Sequence, residues 1–283
     1  MISINFTYQL TNQLMKNTDE LLTNGYDFNM GKYMGDAWDL FKKGAGSYIG
    51  FTVVFFVIVM VLVFIPFVNL LVSIFEYVLL SGIFIYSRNL LSDKGEFSNF
   101  FEGFNSFGQI FLFALVLFLF TMPALVVFII YLIPDGFVNS AMNGFTDVEY
   151  LAEEFIAGIM ENLGAIVFLY LAMILYMMYL YISYSFTIVL IVDRNMSFWD
   201  AMELSRKVIA KNFFSFFGMY ILLGVLVSFG TIITCGLGML IAIPYMNTVI
   251  FSAYNSIIGP EEDMFEQRTE EVGDSSEGGS SIE

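Results

Sequence analysis

Long apolar runs separated by short polar joints dominate this chain, and their lengths set the first expectation. Near-continuous hydrophobic runs cover residues 48–66, 69–91, 107–133, 163–192, 213–234 and 237–258. A helix needs about 20 residues to cross roughly 30 Å of hydrocarbon, and each run is near or above that length. The pattern predicts an all-α integral membrane protein with six transmembrane helices. The third and fourth runs are longer, which implies tilt or extension into the headgroup layer. Pro66 to Asn69 and Thr234 to Gly238 are the only joints within the first and last pairs, so both pairs are expected to be tight helical hairpins.

The polar stretches divide the rest. Residues 1–30 read as a polar cytoplasmic segment, 31–258 as the membrane domain, and 259–283 as a disordered acidic tail rich in Gly, Ser and Glu. The first twenty residues hold no uninterrupted apolar core, so the first span, rather than a cleaved signal, is expected to target the chain. Between the third and fourth spans, Asp147–Glu161 places Tyr150, Leu151, Phe155, Ile156 and Ile159 on roughly one helical face, against Glu149, Glu153, Glu154 and Glu161. That spacing predicts an amphipathic helix.

Charge orients the bundle. The eleven bases are Lys16, Lys32, Lys42, Lys43, Arg88, Lys94, Arg194, Arg206, Lys207, Lys211 and Arg268. With six spans, all fall in the N-terminal segment, the second-to-third loop, the fourth-to-fifth loop or the tail, or at span ends beside them. The opposite-side loops hold none. By the positive-inside rule both termini lie in the cytoplasm and the chain belongs to the cytoplasmic (inner) membrane.

Two polar segments resemble each other. Asp36-Ala37-Trp38-Asp39-Leu40-Phe41-Lys42-Lys43 aligns with Asp200-Ala201-Met202-Glu203-Leu204-Ser205-Arg206-Lys207, and each leads into an aromatic-rich span with a hairpin partner. Tyr86 and Tyr254 sit at equivalent places near the inner ends of spans two and six. Both units enter the membrane from the same side, which makes a parallel internal repeat. In Trp199–Lys211 acids come early and bases late, and Ser197 with Asp200 forms a capping box. Both segments read as cytoplasmic interfacial helices whose Trp38, Lys42, Lys43, Trp199, Arg206, Lys207 and Lys211 contact lipid.

The stretch Ile191-Val192-Asp193-Arg194-Asn195-Met196-Ser197-Phe198-Trp199-Asp200-Ala201-Met202, with Ser205-Arg206-Lys207 and Asn212-Phe213-Phe214, resembles a recurrent segment of bacterial polytopic membrane proteins. That group is loosely related to the membrane domain of glycerophosphodiester phosphodiesterases. The resemblance covers residues 30–258 and implies a membrane fold of this kind. It carries no catalytic motif across, and no segment is long or polar enough for a soluble phosphodiesterase domain.

Composition narrows the chemistry. The chain is 58% hydrophobic and only 13% charged, so lipid is its main solvent. It contains no histidine and a single cysteine, Cys235, which excludes disulfides within the chain, cysteine metal clusters and imidazole-based catalysis. The net charge of −16 comes largely from residues 134–162 and 259–283 and argues against nucleic acid as a partner. No metal, no cofactor and no enzymatic activity are expected; the expected partners are membrane lipids and other membrane proteins.

The candidate intramembrane polar site is small. Glu76 is the only acid deep within a span, and an acid there is a functional candidate by default. Tyr170 is its expected partner if spans two and four touch. Tyr176, Tyr179 and Ser183 form one stripe on span four, and Asn247 follows Pro244 in span six. Small residues at Gly224, Ser228, Gly230, Thr234 and Gly238 permit close helix approach. Two functions fit this inventory. The first is a non-catalytic scaffold or accessory subunit of a membrane complex. The second is a carrier or binder of a lipid or other hydrophobic molecule near Glu76 and the tyrosine stripe.

Overall fold

A computed structural model describes residues 18, 20–64, 69–133, 135–142 and 148–259, with backbone alone at 69–74, 135 and 141. Among the described residues 88% are helical and none is in a strand. The acidic tail after Gly259, the first seventeen residues and the joint within the first hairpin lie outside the described residues.

The chain runs α1 (Met30–Lys43), α2 (Ala45–Val63), α3 (Asn69–Leu91), a 3₁₀ segment (Phe97–Ser106), α4 (Phe107–Leu132), α5 (Asp135–Met142) and α6 (Val148–Glu161). It continues through α7 (Leu163–Ser183), α8 (Thr187–Arg194), α9 (Phe198–Lys211), α10 (Phe213–Ile233) and α11 (Met239–Ile258). Among the described residues four stretches are long and apolar enough to cross a membrane: Ala45–Val63, Phe97–Leu132, Leu163–Arg194 and Phe213–Ile233. The chain is thus an all-helical, multi-pass membrane protein. α3 and α11 are the two remaining long helices, and both carry polar residues. One carries Glu76 and Arg88, the other Pro244, Asn247, Thr248 and Asn255. These two helices are also the most enclosed: α11 packs on α1, α2, α3 and α10, and α3 on α2, α4, α8, α11 and the 3₁₀ segment.

Local chemistry accounts for the element ends. Asn29 caps α1 through Oδ1, which accepts from Lys32 N at 2.9 Å, while Lys42 and Lys43 occupy its last turn. Ser197 caps α9 as its spacing predicts: Oγ accepts from Asp200 N and donates to the Asp200 carboxylate at 2.7 Å. Asn195 ends α8 in the left-handed conformation, with φ of 50°. The last hairpin turns at Cys235 and Gly236, both at positive φ, and Thr234 Oγ1 donates to Gly230 O and accepts from Gly238 N.

The core gathers at the end of the bundle that carries α1, α8 and α9. There Phe100 of the 3₁₀ segment stacks between Phe51 (4.3 Å) and Tyr86 (4.2 Å), with Tyr48 edge-on to both Tyr86 and Phe100. The 3₁₀ segment reaches α3 closely because Gly82 and Gly103 lack side chains; a Cβ on Gly82 would overlap the Phe100 carbonyl, and one on Gly103 the Ser81 hydroxyl. Away from this end the helices are bare. In the most apolar 18-residue window of each of the four stretches, only 22%, 11%, 6% and 22% of residues are buried within the protein, in chain order.

The amphipathic segment forms α6 from Val148 to Glu161, but its apolar face is not packed away. Ile156 is 60% exposed and Tyr150 43%, and Phe155 meets Phe137 of α5 at 5.4 Å. Among the described residues the helix packs mainly on α5 and the start of α7.

Candidate functional site

Each predicted polar residue has a definite place, and they do not converge. α7 leans on α4, α9 and α10 rather than on α3. Tyr170 faces Phe128 of α4 at 6.0 Å and stands half exposed, so it is not the partner of Glu76. Glu76 is partly buried on α3 beside Tyr77, whose ring packs on Phe113 at 5.7 Å. Tyr176 donates across to the Phe120 carbonyl of α4 at 2.9 Å. Pro123, three residues on, leaves the carbonyl of Leu119 without its helical donor in the same turn. Tyr179 packs its ring on Phe213 at 5.7 Å. Ser183 is buried, and its carbonyl accepts from Ser205 Oγ at 2.8 Å. Asn247 donates to Ile243 O in its own helix, just before the interruption at Pro244.

The basic and aromatic residues of α1 and α9 divide between surface and latch. Trp38 and Trp199 are 46% and 56% exposed. Trp38 rests on Phe41 and edge-on against Tyr245 of α11. Lys42 pairs with Asp39. Lys43 instead closes over the end of α3, donating to Leu90 O at 2.8 Å and pairing with Asp93 at 2.7 Å. On α9, Arg206 and Lys207 both grip Glu203, which holds its carboxyl below the usual carboxylate range. Lys211 lines an open cavity of about 430 Å³ with Asn24, Gly25, Tyr26, Asp27 and Asn212. The Tyr26 hydroxyl in its wall donates to Val208 O, and burial raises its pKa.

Sequence reading missed the densest polar cluster. Arg88 of α3 pairs with Asp193 of α8 at 2.7 Å, and Tyr254 of α11 donates to the other oxygen of that carboxylate at 2.6 Å. Arg194 donates to the Tyr254 hydroxyl at 3.0 Å and to the Ile258 carbonyl. The cluster ties three helices from distant parts of the chain at the packed end. The Asp193-Arg194 pair at the close of an apolar run was its one visible signal.

Span four is also not one helix. α7 stops at Ser183 and α8 begins at Thr187. Ser205 of α9 bridges the gap, donating to Ser183 O and accepting from Phe186 N at 3.2 Å. Among the described residues no group of acids, cysteines or histidines is placed to hold a metal ion. Compared with protein-family models, curated proteins and solved structures, the chain finds no match.

Proposed function

We propose that this chain is a six-span protein of the cytoplasmic membrane, with both termini in the cytoplasm, that serves as a non-catalytic scaffold or accessory subunit of a membrane complex. One observation carries the reading. The bundle packs tightly only at the end bearing α1, α8 and α9, while most of its apolar helix surface is left uncovered by its own chain. A carrier needs polar groups converging on one cavity. Here Tyr176, Ser183 and Asn247 are each engaged by a neighbouring helix or their own, which favours the scaffold.

The six-span count rests on α3 and α11 crossing inside a sheath of more apolar helices. Polar groups are tolerated within a membrane when they face other helices, and these two are the most surrounded. α1 and α9 then lie along the cytoplasmic face as interfacial helices, with Trp38 and Trp199 toward the headgroups. Lipid is the first partner in this reading, and a second membrane protein on the bare apolar faces the next.

Duplication of a three-helix unit is supported in a register one helical turn from the alignment of Asp36 with Asp200. Setting Met30 on Phe198 puts Lys43 on Lys211 and Tyr86 on Tyr254. Most buried positions then coincide in the first two helices. Tyr33, Ala37, Leu40 and Phe41 fall on Ala201, Ser205, Val208 and Ile209; Tyr48, Phe51, Thr52 and Phe55 fall on Phe216, Met219, Tyr220 and Leu223. The kinship with the membrane domain of glycerophosphodiester phosphodiesterases belongs to the same proposal, resting on the sequence resemblance alone.

The test is extraction of the full chain into polymer-bounded lipid particles without detergent, followed by mass measurement of what remains attached. A stoichiometric membrane protein partner is expected. A lone chain that moves a lipid between vesicle leaflets would overturn the scaffold in favour of the carrier.

A further inference from the structure

We propose that the break between α7 and α8 is a binding site for a neutral glycerolipid, whose free hydroxyl or ester oxygen hydrogen-bonds to Tyr220 and Ser185. The inference does not rest on the scaffold reading, since scaffold and carrier alike can hold a lipid.

Irregular backbone at membrane depth persists only where protein or a polar site satisfies it. At this break the backbone is provided for, because Ser205 bonds both Ser183 O and Phe186 N. The side chains are not. Tyr220 of α10 is only 7% exposed, and Ser185 lies beside its hydroxyl. Among the described residues neither Tyr220 Oη nor Ser185 Oγ has a hydrogen-bond partner, and the same holds for Thr187 Oγ1 at the first turn of α8. Buried hydroxyls without partners are costly, and several at one broken helix mark a place built to meet something else. The proposed repeat sharpens the contrast. Thr52, which falls on Tyr220, turns back to the Tyr48 carbonyl at 2.8 Å and is satisfied. Tyr220 reaches out toward the break instead.

The donor set selects the ligand. It consists of hydroxyls, which both donate and accept, with no carboxylate, ammonium or guanidinium among them. The charges that reach the break, Glu203 and Arg206 near Tyr184, already neutralise each other. An ion entering this low-dielectric site would find no counter-charge, so the occupant is neutral. Access comes from the bilayer. Tyr181 is 53% exposed on the bare face of α7, and its ring meets Tyr220 edge-on at 5.3 Å. Acyl chains can lie along that face while the polar end passes Tyr181 to reach Tyr220 and Ser185. Diacylglycerol, with one free hydroxyl and two esters, has this chemistry; a phospholipid brings a charged phosphate the site does not match.

The experiment places the full chain in phosphatidylcholine nanodiscs with trace diacylglycerol carrying a photoactivatable diazirine. Cross-linked peptides are then mapped by mass spectrometry. Adducts should concentrate within residues 181–187 and 217–224. Unlabelled diacylglycerol should compete and phosphatidylglycerol should not. Tyr220→Phe and Ser185→Ala should each reduce labelling at least fivefold, and both should abolish any rise in thermal midpoint that diacylglycerol gives the wild type. Label spread evenly over the exposed faces of α7 and α10 and indifferent to both variants would overturn the proposal. So would a Tyr220→Phe protein that is more stable yet equally labelled, or competition by phosphatidylglycerol. If Tyr220→Phe fails to fold, Ser185→Ala decides alone.

Discussion

At Asp193 a carboxylate with 8% of its side chain exposed faces Arg88 through one oxygen and the Tyr254 hydroxyl through the other. Asp193→Asn keeps the shape and removes the charge that neutralises Arg88, so it should cost about 3 kcal/mol of stability. Tyr254→Phe should cost about 1 kcal/mol, because the ion pair survives it. Chemical denaturation in mild detergent measures both, and equal losses would contradict the ranking. Glu76→Gln should be nearly silent, under about 1.5 kcal/mol, with any associated activity retained. A fully stable but inactive Glu76→Gln protein would instead revive the carrier reading. The sequence made Glu76 conspicuous because a lone acid in an apolar run stands out without any knowledge of neighbours. The Arg88–Asp193–Tyr254 cluster was hidden for the opposite reason. Each member sits near a span end, where polar residues are ordinary, and only the fold brings them together.

Elements were legible where their chemistry is local. Ser197 and Asp200 mark the start of α9 within four residues of chain, and the cap forms as that spacing predicts. The break after Ser183 was not legible, since its cause is Ser205 on another helix. Nor was the crossing of α3 by the 3₁₀ segment, where Gly82 and Gly103 carry the close approach. Of the glycines that stood out in sequence, a Cβ at Gly224 or Gly230 would meet open space, and one at Gly238 would crowd only the Gly230 carbonyl and Thr234 hydroxyl of its own hairpin. The two glycine classes should therefore separate cleanly. Gly82→Ala should destabilise by about 3 kcal/mol or more, since backbone would have to move. Gly224→Ala should be neutral or stabilising by up to about 1 kcal/mol, because it adds a better helix former without a clash. Thermal unfolding of the pair checks this, and a large loss at Gly224→Ala would point to a partner on that face. On α9, Glu203 has a depressed folded pKa, so its stabilising contribution exists above the unfolded value and is lost as pH falls through the folded one. The group is largely exposed, so Glu203→Gln should change stability by less than about 0.5 kcal/mol at neutral pH. The difference should disappear on acidification.

Across the whole molecule, the all-helical membrane class was legible because hydrophobic length is a direct reading of bilayer thickness. The count was harder. α3 and α11 are the least apolar of the proposed spans because they are the most enclosed by protein, and enclosure is invisible in a hydropathy profile. Six spans with inward bases is the central claim, and the decisive measurement is sidedness. In a Cys235→Ala background, single cysteines at Ser140 and Ser276 are labelled in intact cells and in inverted vesicles with a membrane-impermeant maleimide. The account predicts that the cysteine at 140 reacts only from outside and the one at 276 only from the cytoplasmic side. Labelling of both positions from the same side would contradict it.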